Sequence, residues 1–159
     1  LAARYPSIVQ AVVLCSTFLS SPYPLLLPWL SRLIPPSFVL HHPPRALTRY
    51  FMCGEDAPDT FVDFLADTMR TVHSAVLTQR VENIIGLDGR SVLKQCPVPL
   101  LYLHGQSDHL VSREKAQEIF HVRPDTVVAP IPGPHMLLQR RAEESLSAIE
   151  RFLTDLSLL

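Results

Sequence analysis

Positive charge is nowhere gathered in this sequence. No cluster of Lys or Arg runs along any segment, and the formal net charge is -1 with a pI near 6.7, so the electrostatic footprint of a nucleic-acid binder is missing. A small molecule is the expected partner. Cysteine is scarce: Cys15, Cys53 and Cys96 are three in number and far apart, which suits neither a disulfide framework nor a metal knuckle. Isolated thiols point to a reducing compartment, so a cytoplasmic location is expected. No apolar run approaches the roughly 20 residues that a membrane helix needs. The greasiest stretch, residues 24–34, is interrupted by Pro28 and Arg32, and no membrane span is expected. A secretory leader is not visible either, and because the chain opens on Leu1 in mid-pattern its true start is expected upstream. Glycine is outnumbered by proline, five to fifteen, with many prolines crowded between residues 22 and 58. That ratio predicts short, sharply bounded elements there.

What is present is apolar. The chain of 159 residues is 47% hydrophobic and 18% charged, which excludes disorder and gives enough material for one core, whether of a whole domain or of part of a larger one. LAARYP, residues 1–6, reads as the last turn of a helix stopped by proline. Residues 9–15 form a valine-rich apolar run, the pattern of a strand buried on both faces of a parallel sheet. Residues 98–104 read as a second such strand with Pro97 and Pro99 at its entry. Ser112 is placed to cap a helix to about His121 in which Ala116, Ile119 and Phe120 share one face. Residues 126–131 read as a third strand, with Pro130 near its end suiting an edge or terminal position. Residues 139–156 read as a final helix with Ala142, Leu146, Ile149, Phe152, Leu153 and Leu156 on one stripe. Strand, helices, strand, helix, strand, helix is an open α/β sheet.

Between the first two strands the texture is helical. Asp56 is a candidate cap for the run APDTFVDFLADTMRTVHSAVL, in which Phe61, Phe64, Leu65, Val72, Ala75 and Val76 recur at helical spacing. Two readings stand for Leu25, Leu26, Leu27, Trp29, Leu30, Phe38 and Phe51. They fill a core between helices, or they line a lid over an apolar pocket.

In an open parallel sheet reactive groups collect past the carboxyl ends of strands. Asp108 follows the second strand in His-Gly-Gln-Ser-Asp, and His135 follows the third in Pro-Gly-Pro-His, 27 residues later. That distance holds a loop, one helix and one strand, so adjacent strand ends bring the two together. A carboxylate that accepts Nδ1–H fixes the imidazole tautomer and leaves Nε2 to take a proton from a nucleophile. Taken singly, Asp108 would cap the next turn and His135 would be a hydrogen-bonded loop histidine. His104 reads as structural, and His41, His42, His73 and His121 as surface or lid residues.

LLYLHGQSDHLVS resembles the acid-bearing loop of the α/β-hydrolase fold family, and IPGPHMLLQRRAEESLSAIERFL resembles its histidine loop and final helix. LAARYPSIVQAVVLCST is similar to the end of the helix after the nucleophile elbow and the strand that follows it. The resemblance implies a partial α/β-hydrolase fold of mostly parallel sheet with flanking helices. Its core would be residues 1–19 and 91–159, with residues 20–90 an inserted helical lid. It implies Asp108 as the acid and His135 as the base, in the family's order of Ser, acid, His. Many members carry Gly before the histidine, where Pro134 stands here. The G-x-S-x-G elbow would lie ahead of Leu1. Gly105-Gln106-Ser107 starts a similar pattern, but His109 occupies the second glycine position, and no cysteine has such a setting. The implied activity is hydrolysis of a carboxylic ester or related apolar substrate, without a cofactor and without a metal.

Two rivals remain open. His104-Gly-Gln106-Ser-Asp108-His109 looks like the zinc-ligand run of the metallo-β-lactamase fold with Gln106 in place of one histidine, and a neutral amide is a poor zinc donor. A non-catalytic module that kept the hydrolase scaffold is the other, although a scaffold has no structural need for the Asp108 and His135 pair.

Overall fold

The computed structural model describes residues 1–21 and 43–159. The apolar residues 25–38 singled out above, together with His41 and His42, lie outside the described residues. At the amino terminus Tyr5 N donates to Leu1 O at 2.8 Å, closing one helical turn before Pro6. Three parallel strands follow in the order β1, β2, β3: β1 is Val12–Cys15, β2 is Leu100–Gly105 and β3 is Val127–Ile131. Val12 pairs with Leu100 and Leu101 with Val127. The first strand is shorter than the apolar run predicts, since residues 9–11 stay outside the ladder.

β2 is the centre of the molecule because its side chains have apolar cover on both faces. Leu100 and Tyr102 point into one cluster with Ala116 and Ile119, while Leu101 and Leu103 point into another with Ile131, Leu137 and Phe152. Alternation along a strand sends neighbouring residues to opposite faces, so apolar residues at successive positions require two covered faces. Each fully buried leucine contributes about 1.5–3 kcal/mol.

Along the described residues the helices are α1 (Arg45–Thr48, continued by a wider turn over Arg49–Cys53), α2 (Asp59–Thr71), α3 (Ser74–Ile85), α4 (Arg90–Lys94), α5 (Arg113–Val122) and α6 (Leu137–Arg140). A last helix, α7, runs over Ala142–Asp155. Residues of α4–α7 make the cover over β2, while α1 and α2 belong to a separate cluster around Cys53, Ala57, Val62 and Leu65. Ser112 caps α5, its Oγ accepting from Lys115 N at 3.4 Å. This cap satisfies an amide that has no partner inside the helix.

Four expectations need correction. Asp56 does not cap a helix: α2 starts at Asp59 behind Pro58, and the Asp56 carboxylate is drawn away by two arginines. The single long helix expected there is two, because Val72 is extended and His73 accepts from Ala75 N at 3.3 Å to start α3. The apolar stripe of this region is also displaced. Val62, Leu65, Ala66 and Leu77 are buried, whereas Phe64, Ala75 and Val76 are exposed. The final helix likewise breaks at Arg141, which has φ -139° and ψ 56°, and α7 buries Ser145 and Phe152 while Ala142 and Leu146 face outward.

The helical stretch leaves the sheet and returns to it at one point. Gly89 N donates to Leu19 O at 2.7 Å, and Ser20 pairs with Asp88 in an isolated antiparallel bridge. Ser20 Oγ also donates to Glu118 Oε2 at 2.8 Å, and Arg90 Nε to Glu118 Oε1 at 2.6 Å, so α5 fastens both ends. No helix among the described residues is long and apolar enough to cross a membrane.

Candidate active site

Asp108 and His135 stand past the carboxyl ends of β2 and β3, and the two loops are zipped together by backbone. Gln106 N donates to Ile131 O at 3.0 Å and Ser107 N to Gly133 O at 3.0 Å. Gly105 makes this approach possible: a Cβ there would stand 2.8 Å from the carbonyl oxygens of both Gly133 and Pro134. Any side chain would push the acid loop off the histidine loop.

His135 Nδ1 lies 3.0 Å from Asp108 Oδ2. The other carboxylate oxygen accepts from Leu110 N and Val111 N, both at 2.9 Å. The two readings of Asp108, turn cap and histidine partner, are therefore compatible, one oxygen serving each. The Asp108 side chain is 1% exposed and that of His135 19% exposed. Burial works against the charged carboxylate, but the hydrogen bonds from His135, Val111 and Leu110 outweigh it, and the Asp108 carboxyl is held below its ordinary value. An ionised carboxylate only accepts, so the proton of this bond sits on Nδ1. In a neutral ring Nε2 is then the nitrogen that can accept a hydrogen bond.

The neighbouring polar residues take other places. The His104 ring stacks on Tyr102 with centroids 5.9 Å apart, and burial lowers its pKa, which keeps it neutral. His109 leaves the acid and stacks on Tyr50 at 4.3 Å. The residues of the zinc-type run thus diverge, and among the described residues no three His, Cys, Asp or Glu are grouped to hold a metal ion. Burial pushes the Cys15 and Cys53 thiols up, so neither is a ready thiolate. His73, just ahead of α3, and His121, in α5, are exposed, the first accepting from Ala75 N and the second contacting Gln117 O.

Sequence reasoning missed the residues that bind the helical stretch to this site. Arg140 and Arg141 both pair with Asp56 Oδ2, at 3.3 and 3.1 Å. The hydrogen bond from Arg141, helped by Arg140, holds the Asp56 carboxyl below its usual range. No local pattern announces a pair separated by some 85 positions, although two arginines directly after a histidine loop were a visible signal.

No family model and no curated protein sequence matches the chain. Solved structures do. Bromoperoxidase from Bacillus anthracis superposes with a TM-score of 0.75 at 22% identity, over 96% of this chain and 62% of that one. The enol-lactonase from Burkholderia xenovorans LB400 gives 0.78 at 18% identity, over 97% and 60%. A lipase-esterase related protein from Clostridium acetobutylicum ATCC 824 gives 0.70 at 15% identity, over 95% and 59%. The chain thus spans about 60% of the length of the structures it matches. With a small parallel sheet, helices on its faces and this extent of overlap, the fold of this chain is that of the α/β-hydrolase fold family, present in part.

Proposed function

We infer that this chain is the portion of a serine-dependent α/β hydrolase that supplies the acid and the base, with the serine contributed by sequence ahead of Leu1. The observation that carries this reading is the 3.0 Å contact between His135 Nδ1 and a nearly inaccessible Asp108 carboxylate. In the reaction His135 Nε2 accepts the serine proton as the hydroxyl attacks the ester carbonyl, and then returns it to the leaving alcohol. A water attacks the acyl-enzyme by the same route. Asp108 holds the tautomer and stabilises the imidazolium without itself taking the proton. One oxyanion donor is the backbone N–H after that serine, and the second belongs to an earlier loop.

The substrate is a carboxylic ester or a related small apolar compound. An enol-lactonase and a lipase-esterase related protein among the similar structures support that class, while the bromoperoxidase beside them is a reminder that one fold hosts several chemistries. Residues 20–90 act as the lid, a role supported by their leaving and rejoining the core at Ser20 and Asp88. A scaffold that has lost activity is the alternative, and the same experiment separates the two. In the whole protein that includes the serine, His135→Ala should cut ester turnover by about a thousandfold or more. The 159-residue chain alone should not hydrolyse simple aryl esters. Turnover that survives His135→Ala unchanged would remove the triad assignment.

A further inference from the structure

The segment between Arg49 and Asp59 lies across the histidine loop like a strap, and its contacts flank His135 on both sides. Met136 N, the amide next to the histidine, donates to Met52 O at 3.0 Å. Arg140 Nε donates to Cys53 O at 3.2 Å and its Nη2 to Asp56 O at 3.2 Å, while both arginines pair with the Asp56 carboxylate. Gly54, at φ +87°, passes so close to Pro134 that a Cβ would stand 3.2 Å from the proline ring. Met136 packs with Met52 and Phe61 against the cluster of Cys53, Ala57, Val62 and Leu65. On the acid side Tyr50 covers His109.

The histidine loop needs such support. It is followed by α6, a helix of four residues, far too short to be stable without tertiary contacts. The Asp108 bond restrains the ring at one atom only. We propose that Asp56 and Arg140 are positioning residues: their ion pair clamps the helical insert onto the histidine loop and so fixes the His135 imidazole against Asp108. A displacement of the insert then reaches the catalytic histidine directly. This rests on the reading of His135 as the base, but its test does not depend on turnover.

The readout is exchange of the His135 Nδ1 proton with solvent, followed by nitrogen-edited NMR on the whole protein that includes the serine. Asp56→Asn and Arg140→Gln should each speed that exchange about tenfold, with β2 amides unchanged as reporters of global opening. Asp63→Asn, which removes an exposed pair to Arg45 in the same insert, should leave it unaltered, and Asp56→Glu should restore it. The two clamp variants delete charges of opposite sign, so an effect through space alone would move the exchange in opposite directions. Equal exchange in wild type and both variants, or shifts of opposite sign, would overturn the proposal. Two variants on opposite partners keep the test decisive if one fails to fold. A whole enzyme that keeps full activity with His135→Ala would remove the base reading and leave the exchange result standing.

Discussion

The sheet and the helical insert hold comparable apolar sequences and treat them differently. In β2 every apolar side chain is buried, down to 0% exposure at Leu103, because two faces are covered at once. In α2 and α3 only one narrow stripe is buried, and Phe64 stays 66% exposed. The site follows this division. Asp108 and His135 follow two strands of the sheet, and among the described residues the segment between Arg49 and Asp59 links the helical stretch to the histidine loop. Fewer buried apolar contacts in the helical stretch mean that it should open locally at lower free energy than the sheet.

Deleting side chains should break this contrast most visibly. Leu103→Ala is expected to cost about 2–5 kcal/mol in denaturant unfolding, whereas Phe64→Ala should stay within about 0.5 kcal/mol. Equal costs would mean that the insert is as tightly packed as the sheet. Acid gives the next largest effect. Because the Asp108 carboxyl is held below its ordinary value of 3.8, its contribution is complete above that value and is lost as pH falls through its lower folded value. Thermal melts of wild type and Asp108→Asn should therefore converge as the solution is acidified below about pH 4. A gap that stayed constant would place the Asp108 stabilisation elsewhere than in its charge. The smallest effect belongs to the exposed insert pairs. Asp63→Asn should shift Tm by about 2 °C or less, and the shift should shrink in high salt.

Much of this molecule is written locally. The continuous apolar run of β2 demands two covered faces. The serine ahead of α5 marks that helix start, since a cap needs only residues three apart. The loops with Asp108 and His135 follow from strands whose ends must lie side by side. Elsewhere local pattern misleads. The stripe of α2 is shifted toward Val62 because its packing partner is the strap and Met136, not a generic core. The break at Arg141 follows from that residue reaching both Pro132 O and Asp56, which no helical periodicity encodes.

By itself, then, the sequence determined the three strands, the capped start of α5 and the two loops that bear Asp108 and His135, because each depends on neighbours within a few residues. Tertiary structure decided that one Asp108 oxygen caps a turn while the other meets His135, and that Asp56 serves the histidine loop instead of a helix. Both outcomes depend on competition among polar partners from distant parts of the chain, and only the folded arrangement of those parts fixes which partner wins.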